Sequence, residues 1–172
     1  MMAHTQVDSP QWLAKATELK ETVLKRLEET PEPLRLKLPS KDAWSAAEVV
    51  EHLIVVEECV AGPWRESLAR ERSVKLGVKS RFVTRMVSTI FGQTGMRVPT
   101  VPELVPKGDL SLPELERRWQ EARKDLVAAL PEDPDVAWIM HPALGPLSSS
   151  QMGAILAAHL KLHLRHWPTI IS

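Results

Sequence analysis

The sequence predicts an all-α fold, a four-helix bundle, and three observations carry that reading. Helix-start signals recur four times along the 172 residues, the apolar positions after them repeat at helical spacing, and no segment holds a convincing strand alternation. The chain is long enough for one domain with a substantial core, and we expect a single domain over residues 1–172.

The first helix is expected to begin near Asp8, Ser9 and Pro10 and to run to about Glu29, before Pro31 and Pro33. Its stripe is Leu13, Ala16, Leu19, Val23 and Leu27. The second opens on a capping box, Ser45 with Glu48, and Trp44 can pack on Val49 as a hydrophobic staple. Val49, Leu53, Val56 and Val60 form its face. Gly62 and Pro63 should kink or end it, because Pro63 lacks the amide that the Cys59 carbonyl would accept from.

A long connection follows, from about residue 73 to 110. Within it Phe82, Met86, Val87, Ile90 and Phe91 suit a short amphipathic helix, while Pro99, Pro102, Pro106 and Gly108 mark an irregular passage. A crossover of this length permits the second and third helices to run in the same direction. The third helix starts at the Ser111–Glu114 box, flanked by Leu110 and Leu115, with Pro113 tolerated in its first turn. Leu115, Trp119, Ala122, Leu126 and Ala129 make its apolar face, with Arg117, Arg118, Arg123 and Lys124 expected mostly outside it. The fourth helix opens on Ser148 and Gln151, stapled by Leu147 and Met152.

Charge narrows the partners. The 22 basic and 22 acidic residues cancel, so no general attraction to nucleic acid or to an acidic membrane is implied, and neither is expected as a partner. The six tryptophans read as packing anchors, since none lies in the alternating basic and aromatic pattern of a nucleic-acid groove. Apolar runs such as HLIVVEECV are too short and too charged to span a bilayer. With a single cysteine, Cys59, and no secretory signal in MMAHTQVDSPQW, a cytoplasmic location is expected.

The chemistry rests on histidines. His159 and His163 are four apart in the fourth helix, so both imidazoles fall on one side, one turn apart; taken alone, the pair also suits two amphipathic positions near a helix end. His159 continues the stripe of Met152 and Ile155 or Leu156, and should point inward. His52, on the second helix, can supply a third nitrogen. Three neutral imidazoles on a divalent ion leave a position for water, the arrangement of catalytic rather than closed structural sites. Zinc, nickel and iron all accept such ligands and are not distinguished. His166 reads as a residue at the surface or supporting the site near the helix end, His141 as a loop residue against the bundle end, and His4 as part of a frayed terminus. Cys59 lies ~10 Å from His52 along the helix at ~1.5 Å per residue, too far to share an ion.

Other metal patterns fail. Val49 breaks the Glu-x-x-His pair of a di-iron bundle, and Leu160 stands where HExxH needs its glutamate. No tyrosine is present to act as an acid. Glu48, Glu51 and Glu57 are the nearest carboxylates in sequence for a base or a supporting role, and no catalytic residue is assigned. Arg70, Arg72, Lys75, Lys79, Arg81 and Arg85 form a basic segment, read as a solvated surface or as a patch for the carboxylates of an anionic thiol.

These motifs resemble the DinB-like superfamily of metal-binding four-helix bundles, which includes thiol-dependent S-transferases. The resemblance lies in Trp44-Ser45 leading to His52, in RVPTVPELVP, and in HP-x-x-G-x-L-S from His141 to Ser148 feeding His159 and His163. It implies an up-down-down-up order and a metal triad at His52, His159 and His163. The expected function is a metal-dependent enzyme whose ion activates a low-molecular-weight thiol, as an S-transferase, or water, as a hydrolase. The competing expectation is a noncatalytic metal-binding helical module or dimerisation domain. A homodimer is expected from the apolar crossover residues Phe82, Met86, Ile90 and Phe91.

Overall fold

Helix α1 (Gln11–Glu29) follows directly on Pro10 and stops before Pro31. Thr30 closes it, its amide and hydroxyl both turning back to the Arg26 carbonyl at 3.1 and 2.7 Å. Pro31 then opens α2 (Glu32–Arg35), a single turn that the sequence did not signal. Arg35 donates from α2 to the carbonyls of Thr30 and Glu28, both at 2.7 Å, so α2 adds to the closure of α1. This is a computed structural model that describes residues 10–41, 43–71, 76 and 100–170. The expected crossover helix with Phe82, Met86, Val87, Ile90 and Phe91, the basic residues from Arg72 to Arg85, Pro99, and the start signals Asp8 and Ser9 lie outside the described residues.

Helix α3 (Ala46–Ala61) opens on the expected box: the Glu48 amide donates to Ser45 Oγ at 3.3 Å and the Ser45 amide to Glu48 Oε2 at 2.7 Å. It ends at Gly62, and α4 (Pro63–Arg70) begins at Pro63, where a missing amide does no harm in a first turn. A short 3-10 turn, Pro102–Leu104, precedes α5 (Leu112–Ala128), whose Glu114 carboxylate accepts from the Ser111 amide at 2.9 Å and from its hydroxyl. Helix α6 (Ser149–Ile170) starts from the reciprocal pair of Ser148 and Gln151, at 2.9 and 3.3 Å.

One element departs from the all-helical expectation. Strands β1 (Ala137–His141) and β2 (Gly145–Ser148) pair antiparallel, with His141 opposite Gly145 and Ile139 opposite Leu147. The register is irregular between Ala137 and Ile139, so Trp138 and Ile139 are buried in succession and the period of two is lost from the sequence. Trp138 Nε1 donates to the Ala129 carbonyl at 2.7 Å and ties the hairpin to the end of α5.

Helix α3 packs on α5, α6 and α1, and α1 packs on α6. The predicted stripes of α1 and α3 are buried throughout, as are Leu115, Trp119, Ala122 and Leu126 of α5. The arginines of α5 divide differently from the expectation: Arg117 is exposed, but Arg118 and Arg123 turn towards α3, and Arg123 is buried. Their partners are the carboxylates of α3, described below. Among the described residues no helix is long and apolar enough to cross a membrane.

Candidate metal centre

Helix α3 is buried on nearly every side, its apolar residues together with Glu51, His52 and Glu57. His52 is one of its buried polar residues, and its ring meets His159 and His163 of α6. The Nε2 atoms of His52 and His159 lie 3.3 Å apart, and those of His159 and His163 lie 3.0 Å apart. One ring nitrogen from each of the three residues falls within 4.8 Å of the others. Two nitrogens at ~2.1 Å from one tetrahedral ion stand ~3.4 Å apart, so the cluster could hold a metal ion.

Protonation follows from the partners. His52 Nδ1 lies 2.8 Å from the Leu104 carbonyl, which only accepts, so Nδ1 carries the hydrogen and Nε2 of the neutral ring presents a lone pair. Burial lowers the pKa of His52, against a smaller upward pull from that carbonyl. His163 is pushed down to about 3, first by burial and then by His52 and His166. His159 is driven well below the ordinary imidazole value by burial, with His163 and His52 adding to it. All three are therefore neutral at pH 7, the form that binds metals. His159 Nε2 can carry one hydrogen at most, so it cannot donate across both of its short contacts. A cation at the centre would satisfy a lone pair from each of the three rings.

Other candidates have structural partners. His141 ends β1, and its Nδ1 accepts from the amides of Ala143 and Leu144 at 3.1 and 3.2 Å while its ring lies against Trp64. It closes the hairpin, and burial pushes its pKa down to about 4. His166 is near enough to His163 to lower its pKa. Cys59 is buried, and burial with Glu58 and Glu103 raises its thiol pKa. A cavity of about 400 Å³ lies between the end of α3, α4 and α5, lined by Glu58, Arg65 and Asp125 and by none of the three histidines.

The nearby carboxylates are also engaged. Glu48 completes the α3 cap. Glu57 accepts from Trp119 Nε1 at 3.0 Å and from Arg123 at 2.8 and 2.6 Å. Glu51 accepts from the amides of Lys107 and Gly108 at 2.9 and 2.8 Å, and from Arg118 at 3.2 Å. Glu58 holds Arg118 through two bonds of 2.7 Å. The sequence did not show Trp44 as a neighbour of the centre, yet its ring lies 4.8 Å from that of His52. Leu104 was equally hidden, because a backbone carbonyl leaves no mark in the residue type.

With this geometry in place, comparison with known families matches the model of the DinB superfamily to residues 16–166. The chain belongs to the DinB superfamily. No curated protein and no solved structure matches it. The DinB-superfamily match takes in all three clustered histidines and the passage through Leu104.

Proposed function

We propose that this DinB-superfamily protein is a metal-dependent enzyme whose divalent ion is held by His52, His159 and His163. The observation that carries the reading is the meeting of three neutral imidazoles from α3 and α6, with the His52 lone pair turned inward by the Leu104 carbonyl. A divalent ion there would supply Lewis acidity, lowering the pKa of a thiol or a water that it binds. The protein's own part is to keep the rings deprotonated and oriented, and Trp44 covers one side of His52. His159 and His163 retain some exposure, which favours a centre reachable by substrate over a sealed structural one.

A low-molecular-weight thiol is the first substrate class, giving an S-transferase; water as the nucleophile gives a hydrolase. Elemental analysis of protein purified without a histidine tag tests the ion. Calorimetry of the metal-loaded protein with bacillithiol, mycothiol, glutathione and coenzyme A, in buffers of different ionisation enthalpy, tests the thiol. Proton release on binding, lost in His159→Ala, is the expected result. Failure of every thiol to bind, together with metal-dependent hydrolysis, would turn the reading to water. Inactivity of the loaded protein in both assays would leave a metal-binding module.

The proposal includes an up-down-down-up bundle. Trp12 at the start of α1 lies against Gly153 near the start of α6, and Gly108, just before α5, approaches Glu48 in the first turn of α3. Both contacts support parallel pairs, α1 with α6 and α3 with α5. It also includes a homodimer formed through the apolar crossover residues, and light scattering showing a monomer at high micromolar concentration would remove that part.

A further inference from the structure

We propose that Glu51 is a positioning residue: by holding the backbone at 107–108 against α3, it keeps the Leu104 carbonyl on His52 and so sets which nitrogen faces His159 and His163. This rests on the metal reading above for its purpose, but not for its geometry. Glu48, Glu51 and His52 stand at i, i+3 and i+4, so they share one face of α3. His52 and Glu51 grip the same stretch of chain, and Glu48 lies against it at Gly108. His52 donates to the Leu104 carbonyl at 2.8 Å, and Glu51 Oε2 accepts from Lys107 and Gly108 at 2.9 and 2.8 Å. Gly108 has φ +78°, and a Cβ there would stand 2.9 Å from Glu48 Oε1.

Between the two anchor points lie only Val105 and Pro106, and the proline ring limits the chain's freedom to flex. A shift at 107–108 is therefore passed to Leu104. If the Leu104 carbonyl moves away, nothing selects the Nδ1–H tautomer of His52, and a hydrogen on Nε2 would point at His159 and block the ligand lone pair.

Two simpler roles for Glu51 fit less well. It is 1% exposed, a costly place for a carboxylate, yet as an ion-pair partner it is redundant: Arg118 already has two 2.7 Å bonds to Glu58. As a general base it is poorly placed, since both oxygens accept hydrogen bonds from protein donors.

The test is read first without metal. In protein with 15N-labelled histidine, two-bond 1H–15N spectra report the tautomer of each ring. Wild-type His52 is expected to be Nδ1–H. Glu51→Ala should give mixed or reversed tautomers at His52, and Glu51→Gln, whose amide oxygen can still accept both backbone amides, should restore the wild-type signature. Glu57→Gln disturbs the α3–α5 contact elsewhere and should leave the tautomer alone. Zinc affinity, measured by competition with a chromophoric chelator, should fall ~10- to 100-fold in Glu51→Ala and recover in Glu51→Gln. An Nδ1–H tautomer persisting in Glu51→Ala, or mixed tautomers in the wild type, overturns the proposal. If Glu51→Ala does not fold, Gly108→Ala displaces the same backbone and must produce the same mixing; an unchanged signature there overturns it as well. Should wild-type protein bind no zinc, the metal reading fails while the tautomer still decides the role of Glu51.

Discussion

A single imidazole can report whether three of them form one centre. His163 makes its shortest contact in the cluster with His159, at 3.0 Å, and is partly exposed. His163→Ala should therefore abolish stoichiometric metal while leaving the far-ultraviolet circular dichroism unchanged. Full metal content in that variant would place the ion elsewhere. His141 makes a separate prediction through pH. Its folded pKa of about 4 lies below the ordinary imidazole value of 6.5, so between those values the unfolded chain takes up a proton that the folded chain does not. Its contribution to stability is complete above pH 6.5 and is lost as pH falls towards 4. In urea titrations across that window, His141→Gln should flatten the dependence of stability on pH by up to ~1.4 kcal/mol per unit, the effect of one proton. A slope identical to wild type would mean that His141 already titrates normally in the folded protein.

The contact between α3 and α5 depends on buried charge as much as on apolar area. Arg123 and Glu57 lie in the interior with side chains 10% and 2% exposed, and Arg123 also reaches Thr17 of α1 at 2.7 Å. Removing one partner leaves the other charged and desolvated, so Arg123→Ala should cost ~3–5 kcal/mol in urea unfolding. Arg117→Ala, which breaks an exposed pair with Glu121, should cost under ~1 kcal/mol. Equal costs would show that the interior pair carries no special weight. The same contact marks the limit of sequence reading. The stripes, three cap pairs and the break at Gly62–Pro63 were legible because each follows from local spacing or from the chemistry of one residue type. The histidine cluster was legible because the resemblance to the DinB-like superfamily joined an i, i+4 pair to a histidine on another helix that needed only to pack beside it. The burial and partners of Glu51, Glu57 and Arg123 were not, although both glutamates stood out as near the histidine in sequence, since charges on a helix ordinarily face water and only the packed chain supplies their partners. The hairpin was lost to its irregular register, and α2 to its length of one turn.

Across the whole molecule, the three histidines connect parts of the chain that are far apart in sequence: His52 and His159 are separated by 107 residues and meet at 3.3 Å. An ion bound there would tie α3 to α6, next to α1, which packs on both. The metal-binding arrangement exists only when those helices are docked, so binding adds to the free energy of folding and not merely to local order. At a free-metal concentration ~100 times the dissociation constant the gain is ~2.7 kcal/mol. For a chain of this length, with ~2–4 °C per kcal/mol, the midpoint of thermal unfolding should rise by ~5–11 °C. The rise should reverse with a chelator and vanish in His163→Ala. Because the imidazoles must stay deprotonated to bind, it should also shrink as pH is lowered towards the region where protons compete for the nitrogens. Differential scanning calorimetry with zinc, nickel and ferrous ions would measure all of this in one series. An equal rise in the wild type and in His163→Ala would mean that the stabilising ion binds away from the three histidines, and the proposed centre would fail with it.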